Sequence, residues 1–137
     1  MKNNTAGFTL IELIIVLAII AIIGAILIPN FLSTTDRARL RSDIQSARVL
    51  QNALELHNIE QLTPISIGVN IQDIKATLDR LGYIDVRRVT IQTAGANFVR
   101  TSEGRIVLDI TEAASNSVRT NLFDQLSDQE RNYVIRR

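Results

Sequence analysis

The order of apolar and polar residues divides the chain into stretches of unlike character. From Phe8 to Ile28 the residues are apolar or small throughout, and Glu12 is the only charge. As a helix this run is roughly 32 Å long at about 1.5 Å per residue, enough to cross the hydrocarbon core of a bilayer. After Asn30, Phe31 and Leu32 the polarity changes. Leu40, Ile44, Ala47, Leu50 or Gln51, and Leu54 recur every three to four residues, with Arg41, Asp43, Arg48, Asn52 and Glu55 mostly between them. That is the pattern of an amphipathic helix with one apolar stripe. Thr63-Pro64 bars further helix. The spacing predicts one helix of about fifty residues, apolar all round in its first half and amphipathic in its second. Gly24 and Pro29 are its weak points, and a kink is expected at Pro29, which lacks one backbone donor and crowds the preceding turn.

Downstream, the elements are shorter. Asn70 is a candidate N-cap for a helix over 71–81 whose apolar residues Ile71, Ile74, Leu78 and Leu81 share a face, with Gly82 as the stop. Partial alternation over 84–92 predicts a strand, with a break at Arg87-Arg88. A turn at 93–97 precedes a second strand over 98–101, and Ser102-Glu103-Gly104 leads into a third over 105–110. The expected arrangement is an antiparallel meander covered by the amphipathic half of the long helix. In the tail, 112–126 is helix-permissive but rich in Ser, Thr and Asn. Ser127-Asp128-Gln129-Glu130 has capping-box spacing, and 133–135 could pair as an edge strand. The fold class is therefore α+β, with a long N-terminal helix as spine, its first half transmembrane and its second packed on a small antiparallel sheet domain. The segments are a polar stretch 1–7, an apolar helix 8–31, its amphipathic continuation 32–61, and a small head domain 62–137.

Composition narrows the chemistry. Beyond the apolar run about a hundred residues remain, enough for one small core. Net charge is +1, which makes no case for nucleic acid. The absence of Cys removes disulfides, thiolate metal sites and Cys nucleophiles, and a single His, His57, leaves no Ser-His-Asp arrangement. His57 and Glu60 lie at helical spacing, but one His and one carboxylate do not make a metal site. The glycines are scattered, with none in phosphate-loop spacing. Neither an enzyme nor a cofactor is expected. Arg37, Arg39, Arg41 and Arg48 form a basic run past the apolar stretch. Along the chain no aromatics interleave with it, or with Arg87-Arg88 and Arg136-Arg137, as a stacking platform for nucleic acid would need. It reads as a solvated face or a contact with lipid headgroups, with Asp36 and Asp43 as partners.

Glu12 is the anomaly. A carboxylate held in lipid costs on the order of 2.5–3.5 kcal/mol on insertion scales, so it should be neutral or paired. Gly7-Phe8-Thr9-Leu10-Ile11-Glu12-Leu13, followed by the apolar run and Pro29, resembles the N-terminal motif of type IV pilins and type II secretion pseudopilins. The resemblance implies that residues 1–7 are a leader cut between Gly7 and Phe8 by a prepilin peptidase, which also methylates the new N-terminus at Phe8. It further implies a homopolymeric filament built through the N-terminal helices, with an assembly ATPase and a membrane platform protein as machinery. Its location would be the cytoplasmic membrane as a single-pass precursor, then an extracellular or periplasmic filament. In such an array Glu12 of one subunit would neutralise the Phe8 ammonium of its neighbour and set their register. The resemblance covers about residues 5–31 strongly and fades beyond 61.

Three readings follow: a pilus-like surface filament, a pseudopilin of a type II secretion or competence system, or a signal-anchored binding domain that does not polymerise. A conventional secretory signal fits poorly, because the apolar run is too long and ends in Leu27-Ile28-Pro29 without a small-residue cleavage site. Arginine counting alone would keep the C-terminal domain cytoplasmic, since only Lys2 and the α-amine precede the helix; the resemblance implies the opposite. No disulfide-closed C-terminal loop and no calcium-loop spacing accompany the motif.

Overall fold

A computed structural model of the chain describes residues 9–61, 63–113 and 118–136, with the backbone alone at 28–33. The chain divides into two compact units, Met1–Thr34 and Thr35–Arg137. Helix α1, Leu10–Glu60, contributes residues to both and is 51 residues long, as its periodicity predicts. Pro29 lies within its helical backbone.

The second unit is built on the amphipathic part of α1. Leu40, Ile44, Ala47, Leu50 and Leu54 are all buried. They form one cluster with Ile74 and Leu78 of α2 (Ile71–Arg80) and with Ile106 and Leu108 of β2 (Ile106–Asp109). Asn70 caps α2, its side chain accepting the Asp73 N–H at 2.9 Å. Gly82 follows with φ of 82°, the left-handed conformation that stops a helix at low steric cost.

The sheet is of the expected class but not of the expected topology. β1 (Asn97–Arg100) pairs antiparallel with β2, Asn97 opposite Asp109 and Arg100 opposite Ile106. The third strand is β3, Val134–Ile135, and it runs parallel to β2, with Leu108 opposite Val134. The sheet is therefore mixed. The tail returns through a wide π turn at Val118–Leu122 and the short helix α3, Asp128–Arg131, before reaching β2. β2 is central, with Ile106, Val107 and Leu108 all buried.

The strand predicted over 84–92 does not form. Backbone donors of this stretch go to carboxylates, or to carbonyls within its own turn, rather than to a neighbouring strand. Asp79 accepts from the Val86 N–H at 2.9 Å, and Asp85 from the Arg87 N–H at 3.0 Å, which closes a 3₁₀ turn at Val86–Arg88. Asp43 then accepts from Gln92 and Thr93. Short polar side chains that bond nearby backbone offer it an alternative to the ladder. Asp43 is the second departure: expected on the solvent face of α1, it is fully buried.

Candidate functional site

The apolar part of α1 is the first feature to account for. Residues Leu10–Leu27 have a mean hydropathy of 3.2 and bury nothing within the chain. Among the described residues this is the one helix long and apolar enough to cross a membrane. Thirteen of its Leu, Ile and Val side chains are exposed, from 44% at Val16 to 75% at Leu10. Covering a side chain of this size is worth about 1.5–3 kcal/mol, so the stripe as a whole stands for on the order of 20 kcal/mol. No water-exposed state tolerates that; lipid or other helices must cover it.

At its start, Thr9 and Glu12 close a reciprocal cap. The Thr9 backbone N–H and hydroxyl donate to Glu12 Oε2 at 2.8 and 2.7 Å, and the Glu12 N–H donates to Thr9 Oγ1 at 3.3 Å. Thr-x-x-Glu is capping-box spacing, and it satisfies helix donors that lipid could not. This local role was legible at Thr9-Leu10-Ile11-Glu12, but the sequence reading used Glu12 only for pairing between chains. Both Thr9 donors reach the same carboxylate oxygen, Oε2. Among the described residues Oε1 has no partner, so the carboxylate keeps acceptor capacity for a second cation.

Gly7 and Phe8, expected to flank the cleavage and carry the methyl group, lie outside the described residues. So does the side chain of Pro29. Gly24 is helical, with open space where a Cβ would stand.

His57 is buried, its ring centroid 5.5 Å from that of Tyr83 in an edge-on contact. Glu60 does not meet it. The Glu60 carboxylate accepts the Tyr83 hydroxyl at 2.6 Å, which holds the Tyr83 proton more firmly and raises its pKa. Among the described residues no group of three or more His, Cys, Asp or Glu could hold a metal ion.

The arginines are gathered by the tail. Arg48 and Arg105 flank the Tyr133 ring at 5.1 and 5.8 Å, while Arg131 and Arg136 flank Phe123 at 5.9 and 4.3 Å. Arg41 meets Glu130 at 3.4 Å, and Arg37 donates to Gln125. The aromatic partners missing along the chain are thus supplied by the fold, through residues far apart in sequence. Arg87 and Arg88 are instead held by Asp85.

Residues 2–28 match the family described as the prokaryotic N-terminal methylation motif. The chain carries a prepilin-type N-terminus. Its relatives agree. A "prepilin peptidase-dependent protein A" of Clostridium perfringens is 37% identical over 76 residues, 56% of this chain and 51% of its own. A "type IV wide pilus major component" of Thermus thermophilus is 46% identical over 60 residues, 44% of each chain. The "type II secretion system core protein G" of Escherichia coli is 22% identical over 111 residues, 74% of this chain and 75% of its own. The matched stretch spans about half the length of the first relative and less of the second. No solved structure matches. The similarity to type IV pilins and pseudopilins read from Gly7 to Pro29 is therefore found independently.

Proposed function

We propose that this chain is the structural subunit of a type IV pilus-like filament, cleaved after Gly7, methylated at Phe8 and assembled through its N-terminal helix. The observation that carries this is a prepilin-type motif on a helix whose apolar surface has no cover within its own chain. Lipid would cover that helix in storage and parallel copies of it in the filament. Residues 1–7 would act as leader, 8–31 as membrane and filament-core helix, 32–61 as the stem, and 62–137 as the head. Gly24 and Pro29 would let the helix bend between the two environments.

Glu12 is assigned the register. Its Oε1 would accept the Phe8 ammonium of a neighbouring subunit while Oε2 keeps the cap on its own helix. Each charge alone is costly in an apolar surround, and the pair removes most of that cost. Glu12→Val is expected to be processed normally and to give few or no filaments by electron microscopy of sheared material. Wild-type filament yield from Glu12→Val would refute the assignment.

A prepilin peptidase, an assembly ATPase and a platform protein are the expected machinery. A second reading, a pseudopilin of a secretion or competence system, is favoured by the type II secretion relative of Escherichia coli, which is matched over three quarters of its length. A retraction ATPase gene beside this one would point to the pilus, and an outer-membrane secretin with secretion genes to the pseudopilus.

A further inference from the structure

Charge is unevenly placed in the second unit. Residues 35–41 and 118–136 carry six arginines against four carboxylates, whereas residues 42–113 carry seven Lys and Arg against nine. The fold brings the two basic stretches together. Arg37 donates to Gln125, Arg41 meets Glu130 at 3.4 Å, and Leu40 shares a small cleft with Leu122 and Leu126. The end of the unit at which α1 enters therefore holds Arg37, Arg39, Arg41, Arg119, Arg131 and Arg136. Arg37, Arg39 and Arg41 are exposed, and successive members step by about 200° around α1, so they reach both of its sides. Arg131 and Arg136 are fixed over the Phe123 ring and donate to the backbone carbonyls of Asp124 and Arg119.

Arg37 stands ten residues beyond Leu27, the last residue of the apolar span, and the backbone between them is helical. That is about 15 Å of rise. A bilayer covering the span adds a headgroup layer of about 5–7 Å at its boundary. Arg37 is thus held within about 10 Å of the lipid surface, near one Debye length at 0.1 M salt, whatever the angle of the joint. Tethering at that range keeps the effective concentration of headgroup phosphates high. Guanidinium presents planar donors suited to phosphate oxygens, and stacking on Phe123 orients two of them beforehand. A protein partner finds little to grip here. Leu122 and Leu126 are buried, and the exposed apolar side chains of the unit, Val49, Leu56, Ile59, Ile67 and Leu81, are not among these residues.

We propose that this end of the unit docks on anionic phospholipid headgroups while Leu10–Leu27 lies in a bilayer, and lets go when that span leaves it. The contact is made by charge, so it depends on lipid composition and salt. Near an anionic surface each arginine multiplies the ratio of docked to free heads by about five. The inference needs only the apolar span in lipid and stands whether or not the chain polymerises, so either idea can fail without the other.

The chain has no cysteine, so a single introduced one carries a fluorophore at a chosen place. Gln129→Cys sits on α3 beside Glu130, and Ser102→Cys sits in the turn before Gly104, which borders a cleft with Leu54 and Asn58 of α1. The test is energy transfer from each site to headgroup-labelled lipid, with the full-length chain in nanodiscs of phosphatidylcholine, with and without phosphatidylglycerol. Phosphatidylglycerol should raise transfer from Gln129→Cys more than from Ser102→Cys, and about 1 M NaCl should abolish the rise. Arg37→Gln with Arg39→Gln and Arg41→Gln should lower the docked-to-free ratio at least tenfold. Arg80→Gln with Arg87→Gln and Arg88→Gln removes the same charge elsewhere and should leave it within about twofold. Should the first triple variant unfold, Arg39→Gln alone should lower the ratio about fivefold. No rise with phosphatidylglycerol, a rise that survives high salt, or equal losses in the two triple variants would overturn the proposal. So would a rise seen only when several chains share a disc, which would make the contact one between copies.

Discussion

Replacing Asp43 with Ala tests the joint between the long helix and the loop that leads into the sheet. Asp43 is fully buried and accepts two backbone N–H groups, from Gln92 and Thr93, each at 2.8 Å through a different oxygen. Hydrogen bonds to a charged acceptor contribute about 1.5–3 kcal/mol each, and a buried donor left without its acceptor bears its full desolvation cost. Allowing for water entering the vacated space, Asp43→Ala should destabilise the head domain by about 3–5 kcal/mol. For a domain of about a hundred residues each kcal/mol shifts the melting temperature by about 4–8 °C, so a fall of at least 12 °C is expected. Tyr83 and Tyr133 are the only tyrosines and there is no Trp, so tyrosine fluorescence during urea unfolding reports the head domain without interference from residues 10–27. Asp43→Asn keeps one acceptor and sets an amide N–H against the other backbone donor, so it should cost about half as much. A loss below about 1 kcal/mol for Asp43→Ala would refute the reasoning, since the loop would then be held by something other than this carboxylate.

Two further outcomes follow from the same packing. Gly95 has φ of 78°, and a Cβ built there would stand 2.1 Å from the Glu112 carbonyl oxygen, whereas Gly82 has φ of 82° and open space. Gly82→Ala should therefore cost about 1–2 kcal/mol of urea stability from backbone strain alone, and Gly95→Ala clearly more, because backbone must move. The pKa of Glu130 is held below the ordinary carboxylate value, first by the Ser127 backbone N–H and then by the Ser127 hydroxyl and by Arg41 and Arg48. A depressed folded-state pKa gives stability that is present above the unfolded value of about 4.3 and is lost as pH falls through the folded one. Melting temperatures measured from pH 7 down to 3 should drop less steeply for Glu130→Gln than for wild type; parallel curves would show that Glu130 does not contribute.

The parts of this fold that were legible in the sequence are those written locally. Apolar spacing from Leu40 to Leu54, the Asn70 cap with Gly82 beyond it, and the Ser127–Glu130 capping box each act within a few residues, and each stands in the structure. The misreadings involve partners distant in sequence. Residues 84–92 look like a strand until Asp79 and Asp43 take their donors, and Asp43 looks solvent-facing until Gln92 and Thr93 arrive. β3 falls where 133–135 read as a possible edge strand, but its parallel pairing with β2 depends on the return of the whole tail. The same return brings Phe123 and Tyr133 to arginines up to eighty-odd residues away, which linear spacing could not display. At the N-terminus the methylation motif was read directly from the residues, and the Thr9–Glu12 cap was overlooked.

The central claim, a cleaved and polymerised subunit, is tested most directly by mass spectrometry of the N-terminal peptide from sheared surface material. The account predicts a peptide beginning at N-methylated Phe8, recovered from filaments. A chain that begins at Met1 and is found only in membranes would contradict it, leaving an anchored domain with no register for Glu12 to set.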